Sequence, residues 1–240
     1  MAAQKQAQTA DGEKTGVAGS VAGGEKVCDL DALTPRDEAV VACAAEVFLA
    51  RGIADVKMTD VAEAAGVGVA TLYRRFSTKT DLAVLAATLL WRRFNKRIHE
   101  LVESDAFLAL GGLERLEALL SSYRDAYLGH AEFMSFLDEL DHLLLSERVG
   151  AGRRAVYGAE VDSFYLIFDD AYLLGRMDGS ITREVDFPSF YRALAHALTS
   201  VAQKLARGEV IPSDDFAGES AASELDSLIF MAKCTLSDRF

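Results

Sequence analysis

The sequence predicts an all-helical fold. Only three prolines occur in 240 residues, and half of the residues are apolar while about a quarter are charged, as in ordinary soluble domains. Apolar residues recur every three or four positions, and the alternating Val, Ile and Thr runs of strands are missing. The length allows one large domain or two small ones with a proper core.

Charge is distributed unevenly. The net charge is −12, yet Arg36 to Arg97 holds ten Lys/Arg and seven Asp/Glu, a balance of +3 that leaves −15 for the rest. A modestly basic segment on an acidic body suggests two parts with different partners. No apolar run approaches the roughly 20 residues that cross a bilayer, and the N-terminus lacks a signal peptide's apolar segment. We therefore expect a cytoplasmic protein without membrane contact.

The cysteines predict neither a disulfide framework nor a metal site. Cys28, Cys43 and Cys234 are odd in number and far apart in the chain. No cofactor or metal is therefore predicted.

Residues 1–33 are rich in Gly, Ala, Gln and Lys without helical periodicity, and we interpret them as a disordered arm. The first helix begins after Thr34, which can cap it, with Pro35 at its first position and Asp37 reaching back to the cap. Gly52 ends this helix. We predict a domain over residues 34–98 and a second, helical domain over residues 99–240.

Three further helices complete the first domain. A short helix is expected after Thr59, with Asp60 in its first turn, and it closes at Gly66. A third runs from Ala70 to Phe76. The fourth starts at Thr78, where TKTD makes a capping box, and continues to about residue 99.

Two short helices joined by a tight glycine turn and preceded by a third make a helix-turn-helix unit. Small residues at the start of its second helix let the backbone approach base edges, while hydroxyls and a lysine can reach phosphates. Arg75 is expected to point to solvent. The predicted DNA-contacting residues are Thr59, Gly68, Val69, Ala70, Thr71, Tyr73, Arg74 and Lys79.

The second half is one amphipathic helix after another. A long helix from about residue 156 to 175 is apolar on more than one face, so we expect it to be central. The last two helices have regular stripes, which suit packing between two subunits or an internal core. The stripes consist of Phe187, Tyr191, Leu194, Leu198, Val201 and Leu205, and of Leu225, Ile229, Ala232 and Leu236.

The run AAEVFLARGIADVKMTDVAEAAGVGVATLYRRFSTKTDL closely resembles the DNA-binding domain of the tetracycline-repressor (TetR) family, over roughly residues 38–85. The resemblance implies a homodimeric transcription regulator that binds a palindromic DNA operator and is released by a small-molecule effector. It also implies dimerisation through the last two helices, here about 187–207 and 220–237. The family commonly has Ser where this chain has Gly68, and glycine costs only a few tenths of a kcal/mol as a cap.

An effector pocket between bundle helices needs apolar walls with a few polar groups. Asp169 and Asp170 lie within the apolar run FYLIFDDAYLL, and a buried carboxylate requires a partner, either an intrachain Arg or a cationic ligand. The candidate ligand-binding residues are Trp91, Tyr123, Tyr127, Phe133, Phe168, Asp169 and Tyr172.

Other patterns predict no further site. GVGVAT follows a helix and has Thr71 where a dinucleotide loop needs glycine. His130 and His142 flank acidic residues that fall mostly on an exposed helix face. No catalytic set can be assigned, so an enzyme is not expected. The alternative hypothesis is a helical ligand-binding or enzymatic bundle whose N-terminal unit mediates protein contacts.

Overall fold

The structure, a computed structural model, describes residues 30–146, 151–207 and 221–240 and confirms the all-α prediction. Over these ranges the chain forms eleven helices and no strand. They are α1 (Pro35–Arg51), α2 (Met58–Ala64), α3 (Val69–Phe76), α4 (Lys79–Val102), α5 (Asp105–Leu108), α6 (Gly112–Gly129), α7 (Ala131–Ser146), α8 (Ala151–Asp162), α9 (Phe164–Asp178), α10 (Phe187–Ala206) and α11 (Ala221–Leu236).

Most of the predicted disordered arm, residues 1–29, lies outside the described residues. The prediction is wrong for the end of the arm, where Leu30–Ala32 forms a 3-10 turn. Leu30 is buried in the core, and the carboxylate of Asp31 lies 2.8 Å from a guanidinium nitrogen of Arg92. An apolar anchor and an ion pair therefore fix the chain just before α1.

The ends of α1 are as predicted. Thr34 Oγ1 accepts a hydrogen bond from the Asp37 backbone N–H at 3.3 Å, and Pro35 occupies the first helical position. At the other end Gly52 has a φ of 78°, a conformation that residues with a Cβ rarely adopt. The sequence thus determines both ends through side-chain capping and backbone freedom.

The start of α2 differs from the prediction. The helix begins at Met58, with Lys57 as the capping residue, and not after Thr59. The Asp60 carboxylate accepts a hydrogen bond from the Lys57 backbone N–H at 3.0 Å, which satisfies a donor at the helix start. Arg51, at the end of α1, lies 3.1 Å from the same carboxylate and links the two helices.

The long helix α4 connects the two halves of the molecule. It packs against α1 of the first half and against α7 and α8 of the second half. As predicted, Thr78 caps it by accepting a hydrogen bond from the Asp81 backbone N–H at 3.0 Å. Its first three turns are buried almost completely, which makes α4 a shared wall of both halves.

The predicted single helix over residues 156–175 is two helices, α8 and α9, separated at Ser163. The Ser163 hydroxyl donates to the Glu160 carbonyl at 2.8 Å, and Asn95 Nδ2 donates to the same carbonyl at 2.9 Å. A side chain that occupies a helical carbonyl competes with the backbone ladder and interrupts it.

The expectation that this region is central is wrong for α9. One face, with Phe164, Phe168 and Ala171, is buried, and α9 packs closely on α6. The opposite face exposes Leu166, Leu173 and Met177. The sequence of this helix is apolar on more than one face, but the rest of the single chain covers only one of these faces.

The helices α10 and α11 pack against each other, with α10 also on α7 and α11 on α6. All four residues of the predicted α11 stripe are buried within the chain, so this stripe is a core stripe: Leu225, Ile229, Ala232 and Leu236. A different part of α11 leaves Phe230 and Met231 about half exposed.

Candidate nucleic-acid interface and effector cavity

The helix-turn-helix unit is built on two buried anchors in α3. Leu72 and Phe76 are each 1% exposed and belong to the hydrophobic core. In the turn, Gly66 has a φ of 63°, and the Val67 backbone N–H donates to the Ala62 carbonyl at 2.9 Å. These contacts fix α3 so that its other face is directed to solvent.

The exposed face of α3 holds most of the predicted DNA-contacting residues. Tyr73 is 51% exposed and Val69 is 37% exposed, so both side chains are accessible to DNA. Thr71 is half-buried. The remaining predicted residues of the turn, of α3 and of the start of α2 are exposed: Thr59, Gly68, Ala70 and Arg74.

Gly68 caps α3 without a side-chain hydrogen bond. Its φ of −70° is ordinary for any residue. A Cβ added here would meet only Thr71 Oγ1, at 3.8 Å, which is a normal van der Waals distance. The position therefore has room for the serine that is common in the resembling family.

Lys79 stays a predicted phosphate ligand, but it is not exposed as predicted. It is half-buried, and its ammonium group donates three hydrogen bonds to carbonyls of the loop after α1. The accepting oxygens belong to Ile53 at 2.7 Å, Ala54 at 3.2 Å and Val56 at 3.0 Å. An ammonium has three donors, so all three are used within the chain.

We expect Lys79→Met to lower the free energy of unfolding by about 2 kcal/mol, because three carbonyls lose a charged donor. Urea unfolding followed by circular dichroism measures the change. Arg74→Gln is the matched control, since Arg74 is exposed and makes no ion pair among the described residues. A Lys79→Met protein as stable as the parent would contradict the role of the ammonium.

Arg75 does not simply point to solvent, as expected from the sequence. Its Nε lies 3.3 Å from the Asp37 carboxylate of α1, so it ties α3 to α1. Sequence reasoning also missed Arg36, which lines a small groove together with Thr71 and Arg74. The signal was present, since Arg36 lies two positions after the cap of α1 and is the first residue of the basic segment.

A cavity of about 790 Å³ lies in the second half of the molecule, bounded by residues of α4 and α6–α10. Its lining residues include five aromatic side chains: Trp91, Tyr123, Tyr157, Tyr165 and Tyr191. Gln203 and the acidic Asp141 and Asp162 are among the polar lining residues, and Arg192 and His196 come from α10. This volume is in the range of pockets for small organic molecules.

Two of the predicted ligand-binding residues, Trp91 and Tyr123, line this cavity. The other predicted residues belong to the packing around it. Phe133 packs edge-on against Trp91 at 5.5 Å, Phe168 lies 5.0 Å from Tyr191, and Tyr172 stacks on Phe187 at 4.3 Å between ring centroids. Tyr127 is buried in the core.

The expected buried carboxylate in α9 is not present. Asp170 is exposed, and Asp169 is half-buried and accepts a hydrogen bond from the Tyr165 hydroxyl at 3.4 Å. Both carboxylates lie outside the cavity lining. Because α9 packs with its other face on α6, its acidic residues remain accessible to water.

Two acidic residues line the cavity, Asp141 and Asp162, and Asp141 is one of the α7 acids expected on the exposed helix face, where the structure also has it. Its Oδ2 accepts a hydrogen bond from Gln203 Nε2 at 2.9 Å, and loss of solvent raises its pKa. Burial also raises the pKa of Tyr157 to about 12 and that of Tyr123 well above its usual value. The pairing of α7 with α10 creates this site, and helical periodicity could not reveal that pairing.

Two contacts connect the walls of the cavity to the DNA-binding helices. Glu139 of α7, two residues before Asp141 in the sequence, accepts a hydrogen bond from the Ala54 backbone N–H at 2.9 Å. Arg153 of α8 forms a buried ion pair with Asp81, in the first turn of α4. Both α7 and α8 therefore reach from the cavity to the first half of the molecule.

In the ranges that the structure covers, no group of three or more His, Cys, Asp and Glu side chains is placed to hold a metal ion. Among the same residues, no helix combines the length and apolarity that a membrane span requires.

Comparison with known proteins finds similar sequences and structures. Residues 40–86, which include α2, α3 and the start of α4, match the family described as bacterial regulatory proteins, tetR family. Over 188 residues the chain is 27% identical to the HTH-type transcriptional repressor KstR2 of Rhodococcus jostii (strain RHA1), covering 77% of this chain and 87% of that protein.

Solved structures share the fold. The fatty acid degradation regulator FadR from Bacillus halodurans aligns with a TM-score of 0.60 at 16% identity, covering 83% of this chain and 95% of that one. FadR from Bacillus subtilis, solved in complex with stearoyl-CoA, aligns with a TM-score of 0.56 at 15% identity, covering 84% and 100%. Residues 40–86 therefore match the DNA-binding domain of the tetR family of bacterial regulatory proteins, the whole chain is similar in sequence to a transcriptional repressor, and we conclude that it is a DNA-binding transcriptional regulator.

Proposed function

We propose that the protein is a homodimeric repressor that binds a palindromic operator and leaves it when a small organic effector occupies the cavity. The observation that carries this proposal is the exposed face of α3, held outward by the buried Leu72 and Phe76. In a dimer, two such helices would enter successive major grooves, on the order of 34–36 Å apart or a multiple of it.

On the DNA side, Tyr73 supplies a hydroxyl and Arg74 a free guanidinium, while Val69, Ala70 and Thr71 offer small surfaces to base edges. Lys79 is assigned a supporting role: its ammonium holds the loop after α1. Only its backbone, at the start of α4, is left for a phosphate.

For the dimer, we propose that a second copy packs on α10 and α11. Phe230 and Met231 are about half exposed on α11, and Leu194 and Val201 are only partly buried on α10. Apolar side chains of this size at the surface are typical of interfaces between subunits.

For effector release, the route runs through α8 and α4. Tyr157 lines the cavity one helical turn from Arg153, whose buried ion pair holds Asp81 at the start of α4. An effector that displaces α8 would move this pair and so change the position of α3. An effector with a large apolar portion is supported by the aromatic walls and by the stearoyl-CoA held by the Bacillus subtilis FadR.

The test is selection of bound sequences from a random DNA pool, repeated at 50 and 200 mM salt. We expect a palindrome, with an affinity that falls at least ~100-fold between the two salt concentrations as condensed counterions compete for phosphates. Tyr73→Phe, which removes one exposed hydroxyl, should weaken operator binding by roughly tenfold while leaving the fold intact.

No enrichment at either salt concentration would overturn the proposal. It would favour the alternative of a ligand-binding or enzymatic bundle whose N-terminal unit contacts other proteins. Recovery of single half-sites without symmetry would contradict the proposed dimer but not the proposed DNA binding.

A further inference from the structure

Within the effector cavity, one polar pair differs from the rest of the lining. Asp141 of α7 and Gln203 of α10 come from different helices and meet at 2.9 Å. Gln203 is 8% exposed, so its amide is held inside the wall. Since Gln203 Nε2 donates to Oδ2 of Asp141, the amide fixes the carboxylate in one orientation.

The carboxylate has capacity left for a ligand. An ionised carboxylate can accept about four hydrogen bonds. Among the residues that the structure describes, Gln203 alone hydrogen-bonds to Asp141, and no Lys or Arg forms an ion pair with it. Asp141 is exposed to solvent where it lines the cavity, although partial desolvation raises its pKa, so its remaining acceptor positions are accessible to a ligand.

The surroundings of this pair are aromatic. Tyr157 accepts a hydrogen bond from Trp91 Nε1 at 3.4 Å, and both side chains line the cavity with Asp141. Tyr123 and Leu137 extend the wall and are largely removed from solvent. A flat apolar body packs well against such rings, and the faces of the rings also attract a cation.

The neighbouring charges do not neutralise Asp141. Asp138, one turn earlier on α7, lies 3.6 Å from Arg207 and raises the pKa of Asp141, whereas His142 lowers it. Arg192 and His196 line another part of α10, two or three turns before Gln203, or roughly 10–16 Å along the axis. A carboxylate without a cationic partner favours a ligand group that donates hydrogen bonds.

We propose that Asp141, positioned by Gln203, is the polar anchor of the effector cavity and binds a hydrogen-bond donor, a hydroxyl or a protonated amine, carried by an apolar, flat ligand. This inference rests on the proposed effector function of the cavity. It excludes a ligand whose only polar group is a carboxylate placed at this end, because two carboxylates would repel each other.

The chain provides its own reporter, because Trp91 is the only tryptophan and it lines the cavity. Pyrene accepts energy from tryptophan, so a pyrene ligand in the cavity quenches Trp91. Four probes share this body: 1-pyrenemethanol, 1-pyrenemethylamine, 1-methylpyrene and pyrene-1-carboxylate. We expect the alcohol and the ammonium to bind at least about tenfold more tightly than the other two.

Three variants of the full chain separate the roles. Asp141→Leu should remove the tenfold preference for both donor probes. Asp141→Asn should still bind the alcohol tightly but should bind the ammonium weakly, because the ammonium needs the negative charge. Gln203→Leu frees the carboxylate and should weaken both donors by about threefold. Asp170→Asn, an exposed carboxylate of α9 outside the cavity, is the matched control and should change nothing.

Equal affinity of the four probes, an unchanged preference in Asp141→Leu, or no saturable quenching of Trp91 by any probe would each overturn the inference. If Asp141→Asn loses tight binding of the ammonium probe only, the site accepts a neutral hydroxyl donor. If it loses tight binding of both donor probes, the site requires the negative charge of Asp141. Release of operator DNA is measured separately. Probes that bind with the expected preference but leave DNA bound would contradict the effector function and not the anchor.

Discussion

Replacing Arg153 by methionine is expected to lower the free energy of unfolding by about 3 kcal/mol or more, because it leaves the Asp81 carboxylate buried without its cation. Arg153 is 8% exposed and Asp81 is 7% exposed, so water cannot substitute for the lost partner. Urea unfolding followed by circular dichroism measures the difference. Arg154→Met is the matched control, since the adjacent Arg154 is exposed and should change stability by less than about 0.5 kcal/mol.

A second variant tests whether the cost arises from the unpaired charge. Exchanging a buried ion pair for apolar residues of similar volume is often neutral, so Arg153→Met combined with Asp81→Leu should recover at least half of the loss. The Asp81 backbone N–H still donates to Thr78, and the cap of α4 survives this exchange. Equal instability of the single and the double variant would show that packing, and not charge, is responsible.

The double variant also separates stability from signalling. It is expected to fold and to bind operator DNA, since neither residue lies on the exposed face of α3. Without the ion pair, a displacement of α8 by a ligand at Tyr157 is no longer transmitted directly to the start of α4. We therefore expect effector-induced release to be weakened in this variant, and full release would assign the coupling to the Glu139 contact of α7.

The first half of the fold could be predicted from the sequence because its determinants are local. Caps such as Thr34 and Thr78, and turns such as Gly52 and Gly66, act within four residues of their own position. The start of α2 was misplaced because an acidic side chain reached back to Lys57, a contact that competes with a threonine cap.

The second half was less predictable because its determinants are contacts between distant helices. Asn95 of α4 reaches the Glu160 carbonyl and helps to divide a helix that the sequence pattern shows as continuous. Asp141 is exposed, as the helix pattern predicts, but its hydrogen bond with Gln203, 62 positions away, could not be predicted from the sequence. For the same reason Lys79 was expected to be exposed, although distant carbonyls satisfy its ammonium.

Gly112→Ala is expected to cost about 3 kcal/mol of unfolding free energy, the largest effect we expect from a single methyl group in this chain. Gly112 opens α6 where that helix crosses α9. A Cβ at this position would overlap the backbone N and Cα of Gly175 and would lie 2.6 Å from the Ala171 carbonyl oxygen. The obstacle is backbone, so no side chain can rotate away.

The crossing is also fixed by hydrogen bonds that a shift would break. The Gly112 backbone N–H donates to Asp178 Oδ2 at 2.7 Å, and the Leu113 N–H donates to Ser180 Oγ at 3.1 Å. These groups satisfy the first donors of α6, which have no partner within their own helix. Separating α6 from α9 to admit a methyl group would lengthen both bonds together.

Two other glycines test this explanation by the same chemical change. At Gly175 the nearest atoms to an added Cβ belong to the buried side chain of Ile181, which would have to shift within the core, so Gly175→Ala should cost about 1–2 kcal/mol, less than Gly112→Ala. At Gly158 nothing lies within 4 Å, and alanine should stabilise α8 by up to about 1 kcal/mol. In thermal unfolding, the melting temperature should therefore be lowest for Gly112→Ala, higher for Gly175→Ala and highest for Gly158→Ala. Equal melting temperatures for the Gly112 and Gly158 variants would contradict the close crossing of α6 and α9, because only at Gly112 does backbone of another helix occupy the position of the added methyl group.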